Sequence, residues 1–393
     1  MSDRLFTQRF IGLWLFGFLA FFSAFQLLPV IPYRIRDLGG NLAAAGSFLA
    51  VYTFASAIAA PVMGSIADAI GRKRMLVSAS ALFILFSAAY GLVTDMKVVL
   101  LVGIVHGALW SGILSSNSAI ASDVIPVSRR VQGLAYFGLA GLAAIATAPM
   151  VGLELYRRFG WTALCGELAV LSLLMAVWSS RLSVAPHTRT ALKLSFGELW
   201  DVRVLRVALT LTMAAFGYGG VTSYAAMLSE QRGIHPPSLF FTAFAAANVL
   251  VRLTTSHLGD RFGIRAVLYP SLGLITVSLG ILAVAQQAWL IILSATLFGA
   301  GFGNTFPAIM TFLLEHTDAD RRARTFGSFV LAFDAGIALG SLAIGAMGDR
   351  QGLGFAFGVA AVVSAFGIPI FAVASRGLIR GTEVAPVTPH GNT

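Results

Sequence analysis

Residues 64–74 read Gly64-Ser65-Ile66-Ala67-Asp68-Ala69-Ile70-Gly71-Arg72-Lys73-Arg74. One apolar run near 42–64 leads into this stretch and another near 75–94 leaves it, each long enough to cross about 30 Å of hydrocarbon as a helix. Glycine permits a tight turn and close helix approach, and the acid suits a helix N-terminus. The cluster Arg72-Lys73-Arg74 suits anionic lipid headgroups. The pattern recurs at a fixed offset of 192 positions. Asp68 aligns with Asp260, Gly71 with Gly263, Gly107 with Gly299 and Asp123 with Glu315. Arg129 and Arg130 align with Arg321 and Arg322, Arg158 with Arg350, and Gly160 with Gly352. A single ungapped offset joining charged turns in this way makes the chain two halves of one design.

Working outward, twelve apolar stretches reach spanning length: 11–32, 42–64, 75–94, 98–120, 131–154, 161–180, 204–226, 238–256, 266–285, 288–313, 325–347 and 353–375. Backbone groups in lipid must be satisfied within the segment, so these are helices. They are too long, and lack the alternation, for barrel strands. The expected fold class is an all-α membrane protein, with twelve transmembrane helices in two pseudo-symmetric six-helix bundles. Residues 1–180 form the N-terminal bundle, 181–203 a connector, 204–375 the C-terminal bundle and 376–393 a disordered tail. Six helices per half give both halves the same topology, with their axis along the membrane normal. Of the 27 Lys and Arg residues, 20 fall on the side of the N-terminus and seven on the other, which places both termini and the connector in the cytoplasm.

Composition agrees. The chain is 57% apolar and 11% charged, against about 25% charged in soluble proteins, which excludes a soluble enzyme. The net charge of +10 is dispersed over short turns, so it reads as membrane topology and not as nucleic-acid binding. Arg4 and Arg9 precede a first run too long for a signal-peptide core, which marks a retained first helix. Cys165 stands alone and forms no internal disulfide.

The stretch 64–74 resembles the signature G-x-x-x-D-x-x-G-R-K of the major facilitator superfamily, in the place where that family carries it. The resemblance covers all twelve spans. A weakened copy follows the eighth span, with Arg252, Asp260, Arg261, Gly263 and Arg265, where Ser256 replaces the first Gly and Ile264 the Arg. The resemblance implies a cytoplasmic gate: Asp68 toward the helix starting near Thr325, and Arg72 paired with Asp123. Gly64, Gly71, Lys73, Arg129 and Arg130 belong to the same gate. Its counterparts in the second half are Arg252, Asp260, Arg261, Gly263, Glu315, Arg321 and Arg322. Because Ile264 cannot repeat the Arg pairing, the lock is expected to be asymmetric.

On the fifth span, Ala148-Pro149-Met150-Val151-Gly152 is similar to the G-P-x-x-G element of the family's drug and sugar exporters, with Ala148 in place of Gly. The fourth span departs from the R-x-x-Q-G of drug–proton antiporters. It reads Gly103-Ile104-Val105-His106-Gly107, which leaves the coupling mechanism open.

Ionisable groups inside a span are costly and mark function. Asp334, near the middle of the eleventh span, is a proton carrier, a counter-charge to a cationic substrate, or a neutral acid bonded to a neighbouring helix. Glu167, about 9 Å inside the sixth span, snorkels outward, pairs with Arg157 or Arg158, or takes part in coupling. His106 shares a stripe with Gly103, Trp110 and Asn117 and is either cavity-facing or packed. For substrate contact the chain offers Gln26, Trp110, Asn117, Tyr136, Tyr218, Tyr224, Asn248 and Asn304, a set suited to an amphiphilic solute.

The reading implied is a secondary active transporter working by alternating access. It couples a proton gradient to export of a small amphiphilic organic molecule or drug, with no cofactor and no metal. It is expected to act as a monomer in the bacterial inner or plasma membrane, with the solute, protons and the bilayer as partners. An organic acid or sugar importer or exchanger, or a lipid flippase, remains the alternative. A polytopic enzyme is disfavoured, because the six histidines form no metal-spaced pair and no phosphate-binding loop is present. Substrate, direction and coupling ion stay open.

Overall fold

The computed structural model describes residues 4–184, 201–255, 258–317 and 321–382. The connector segment 185–200, Ser256, residues 318–320 and the tail 383–393 lie outside the described residues, as do the side chains of Asp260 and Arg322.

In chain order the helices are α1 (Gln8–Asp37), α2 (Leu42–Ile70), α3 (Arg72–Leu92) and α4 (Met96–Val124). A helical run Arg130–Arg181 follows. It is broken at Gly160 (φ +81°, ψ 179°) into α5 (130–159) and α6 (161–181). The second half holds α7 (Val202–Gln231), α8 (Leu239–Thr255, then Leu258–Phe262), α9 (Ile264–Val284), α10 (Ala288–Glu315) and α11 (Arg322–Gln351). The last, α12, has two segments, Leu353–Ala365 and Gly367–Thr382. Helix thus continues past Arg376, where the sequence places the start of a disordered tail. Among the described residues ten helical runs are long and apolar enough to cross a membrane, one of them broken in two at Gly160. The shorter α8, at 17 residues in its first segment, is also apolar, so the described helices are consistent with the expected twelve spans.

The turns are built alike in both halves. Gly71 (φ +103°) and Gly263 (φ +82°) join α2 to α3 and α8 to α9, while Gly160 and Gly352 (φ +87°) join α5 to α6 and α11 to α12. An L side chain is strained in this left-handed region, which accounts for glycine at each turn.

Packing follows the same repeat. In the first half α1 packs on α5, α2 on α4 and α3 on α6; in the second, α7 packs on α11, α8 on α10 and α9 on α12. One close glycine approach also repeats. A Cβ on Gly107 would strike the Tyr52 carbonyl, and one on Gly299 would strike the Phe244 carbonyl. Both members of the first pair shift by 192 positions to give the second. Arg34 donates to the Val93 carbonyl at the C-terminus of α3 (3.0 Å), and Arg232 donates to the Leu282 (2.7 Å), Ala283 (2.6 Å) and Ala285 carbonyls at the C-terminus of α9. A cation there satisfies carbonyls that the helix leaves open and complements its dipole.

Apolar side chains such as Leu85, Leu101, Val170, Leu250, Val277 and Val362 are exposed along the outer helix faces. A surface of that kind needs a hydrocarbon surround. Between the halves, α2 packs on α11, α5 on α8 and α1 on α7. The first two contacts are related by the repeat, and they form two seams. Any device that moves one half against the other must act there.

Candidate functional site

On the face opposite the termini, the α2–α11 seam is laced shut. Helix α2 begins at an Asn41 cap, whose side chain accepts from Ala44 N–H at 2.9 Å. Two further N–H groups of the first turn, Leu42 (2.8 Å) and Ala43 (2.9 Å), donate to the carboxylate of Asp349 at the far end of α11. Helix N-termini expose such donors and favour negative charge, so the other half caps this helix. The Tyr224 hydroxyl reaches the Leu42 carbonyl (2.8 Å) and the Ser341 carbonyl (3.0 Å). Ser341 Oγ donates to the Gly46 carbonyl at 3.2 Å and lies 2.7 Å from Ser223 Oγ. Gly46 and Gly345 make this approach possible, since a Cβ on either would meet backbone of the other helix. On the same face Arg157 pairs with Glu230 across the halves at 2.6 Å.

At the terminal face, Arg72 opens α3 and meets two acids, Asp68 at 3.2 Å and Asp123 at 2.8 Å. A cation at a helix N-terminus is unfavourable by itself, and the two carboxylates offset that. Asp68 and Asp123 remain 42% and 56% exposed. Gly64 has open space where its Cβ would stand. Arg129, Arg130, Glu315 and Arg321 are exposed, and Arg261 lies over the Phe262 ring at 5.1 Å.

The fifth-helix motif serves packing. Ala148 and Pro149 are buried, and a Cβ on Gly152 would stand 2.9–3.0 Å from the Gln26 carbonyl, Cα and Cβ. Gln26, fully buried on α1, donates from Nε2 to Glu167 Oε1 on α6 at 3.0 Å. Of the three alternatives for Glu167, the structure does not show the pairing with Arg157 or Arg158. Arg157 is held by Glu230, and Arg158 pairs with Glu154.

The stripe on α4 divides by partner. His106 is boxed by the rings of Tyr52, Phe83, Phe86 and Tyr90, with the Tyr90 hydroxyl 3.3 Å from Nδ1, so it packs inside the first bundle. Trp110 instead meets Phe21 of α1 edge-on at 5.3 Å, and the Asn117 amide lies against Gly17. Tyr218 stacks on Phe302 at 4.6 Å within a cluster that includes Phe244, Phe298 and Phe333. Asn248 is buried against Gly303, and Asn304 Oδ1 accepts from the Thr255 hydroxyl at 3.1 Å. Tyr136 is exposed beside Phe6. Tyr224 is a correction: it was grouped with substrate contacts, but it is fully buried and bonds the two halves together.

Asp334 and Arg252 lie at the seams with no ion-pair partner among the described residues. Asp334 on α11 is half-buried, makes no hydrogen bond among the described residues, and lies within electrostatic range of Tyr52 on α2, whose buried hydroxyl is itself unpartnered. Arg252 on α8 has a buried Nε with no partner, and its Nη1 faces Gly138 on α5. Among the described residues no group of three or more His, Cys, Asp or Glu could hold a metal.

Comparison with known proteins fits this twofold architecture. The profile of the Major Facilitator Superfamily matches residues 13–240 and 207–386. The chain belongs to the Major Facilitator Superfamily. It is 22% identical over 94% of its length, and 90% of the relative's, to the uncharacterized MFS-type transporter YhhS of Escherichia coli K12. It is 27% identical over 80% of each chain to the multidrug resistance protein MdtM of Salmonella typhimurium LT2. Among solved structures it matches a bacterial homologue of the human lysosomal transporter Spinster, inward-facing and unoccupied. There the TM-score is 0.78 and the identity 15%, over 97% of this chain and 99% of that one. The nucleoside transporter NupG matches with a TM-score of 0.74 at 16% identity, over 95% and 100%. These likenesses to solved structures concern the fold. As a superfamily member the chain is a multi-pass membrane transporter.

Sequence reading missed Asp349, Tyr52, Ser341 and Glu230. One signal was available. Asp349 precedes the Arg350 that aligns with Arg158, so the repeat puts an acid where the first half has Arg157.

Proposed function

We propose that this superfamily member is a proton-coupled exporter of a small amphiphilic organic molecule, working by alternating access between two faces. Both termini lie in the cytoplasm, the membrane is the bacterial inner or plasma membrane, and the working unit is a monomer. The positive-inside distribution of Lys and Arg supports that orientation. On it, the bonds around Asp349 and Tyr224 close the external side. The turn holding Asp68, Arg72 and Asp123 is the cytoplasmic gate that forms and breaks in the other half of the cycle.

The observation that carries the reading is Asp334. It is a carboxyl at an inter-half seam with no counter-charge among the described residues. Holding and releasing a proton there changes the charge at the surface where the halves must separate. A two-state element biased by one protonation is what coupling requires. The name of the multidrug relative supports export.

A thermal-shift screen of the purified protein supplies a ligand, and flux of that ligand into vesicles under an imposed pH gradient tests the coupling. Asp334→Asn is expected to abolish pH-driven flux while inserting normally. Unchanged flux in that variant removes Asp334 from the mechanism.

A further inference from the structure

Several arginines of this fold meet their electrostatic needs within the protein. Arg232 donates to carbonyls at a helix end, Arg72 meets Asp68 and Asp123, and Arg157 meets Glu230, while Arg34 has a buried Nε without a partner but still donates from Nη2 to a helix-end carbonyl. Arg252 does not. It stands 13 residues into α8, counting from Leu239, about 20 Å along the helix. Its Nε is shielded from solvent with no hydrogen-bond partner, and among the described residues no carboxylate pairs with it. The guanidinium faces the other half. A Cβ on Gly138 of α5 would lie 3.9 Å from Nη1, and the glycine leaves that space free.

Arg252 is half-buried, and a guanidinium whose Nε is cut off from water with no partner among the described residues is costly unless something else supplies an acceptor. Its planar fork of donors matches a carboxylate or phosphate oxygen pair. We propose that Arg252 anchors an anionic group of the transported molecule, which makes the substrate an organic acid. The inference rests on the transporter reading above and names the substrate class. An anion held there bridges α8 of one half and α5 of the other, so its binding bears on how the halves sit. Asp334 belongs to the α2–α11 seam, so the proton and the substrate anion have separate places.

The test is equilibrium binding without any gradient, followed by thermal shift in uncharged detergent. The probes are 1-naphthylacetate, 4-butylbenzoate, 1-naphthylacetamide and 1-naphthylmethylamine. The two carboxylates are expected to bind at least about 10-fold more tightly than the amide and the amine. Arg252→Gln is expected to lose about 10-fold or more in carboxylate affinity, with Arg252→Lys intermediate. Gly138→Leu, which fills the facing space and keeps the arginine, should weaken carboxylates alone, so the test survives if Arg252→Gln fails to fold. A preference for the amine, no stabilisation by either carboxylate up to about 10 mM, or full carboxylate affinity in Arg252→Gln overturns the proposal. An anionic lipid headgroup offers the same chemistry. Stabilisation by phosphatidylglycerol in phosphatidylcholine vesicles, with none by the free carboxylates, also overturns it. Asp334→Asn separates the two readings. It reports on pH-driven flux, whereas carboxylate affinity in the Arg252 and Gly138 variants without a gradient reports on the anchor, so either reading can fail while the other stands.

Discussion

Removing the Asp349 carboxylate should loosen the face opposite the termini by an amount that can be worked out. Asp349 accepts from Leu42 N–H at 2.8 Å and Ala43 N–H at 2.9 Å, and it sits at an exposed position on α11. Fully buried charge-assisted bonds are worth about 1.5–3 kcal/mol each, and exposure lowers this. The nearer comparison is a side-chain cap at a helix N-terminus, whose loss costs about 1 kcal/mol. Water replaces the carboxylate on the freed N–H groups, so no buried-donor penalty is added. Asn41 still caps Ala44, so α2 itself remains helical. The cost falls on the closed arrangement of the halves, and about 1 kcal/mol raises the minor, open population roughly fivefold. The assay is the labelling rate of Ser47→Cys, in a Cys165→Ala background, by a membrane-impermeant maleimide applied to that face. Ser47 is half-buried next to Gly46 of the seam, so opening should speed its labelling above the closed-state rate. Asp349→Ala should label about fivefold faster and Asp349→Asn less so, since the amide keeps one acceptor. A rate within about twofold of the parent would show that Asp349 does not hold this face shut.

Tyr224→Phe removes the hydroxyl that reaches the Leu42 and Ser341 carbonyls, and the same labelling assay should report faster opening. Gly299→Ala drives a methyl into the Phe244 carbonyl of α8, costing about 1–3 kcal/mol and lowering the thermal midpoint. Gly107→Ala should match it through the repeat, whereas Gly280→Ala, with open space at its Cβ, should leave the midpoint nearly unchanged. Asp68→Asn is expected to abolish transport with normal membrane insertion, and full flux in that variant would remove the turn from the gating cycle.

The turns show how far one sequence reaches. Gly71 and Gly263, Gly160 and Gly352, Gly107 and Gly299 could be paired by counting, because positive φ or a missing Cβ leaves one residue type acceptable. The proximity of Arg72 and Asp123 is legible only through the resemblance, since 51 positions separate them. Tyr224 looked like a pocket residue because tyrosine suits both an amphiphilic ligand and a buried hydrogen bond. Its partners are backbone carbonyls, which carry no sequence mark. Pairing of Glu167 with Arg157 or Arg158 was one open alternative because they lie near the outer end of its span, yet its partner is Gln26 on α1, far away in the chain.

The sequence alone determined what depends on local chemistry and on counting: twelve apolar runs, a twofold design at an offset of 192, and charge confined mainly to turns. Hydrocarbon leaves an apolar run of that length only the choice of helix, so these features need no knowledge of neighbours. The tertiary structure alone decided which charges are satisfied. Asp349 found the N-terminus of α2 and Arg232 the carbonyls of α9, while Asp334 and Arg252 at the two seams have no ion-pair partner among the described residues. Whether a charge is satisfied depends on what lies within about 3 Å of it, and that distance is set by packing between helices far apart in the chain.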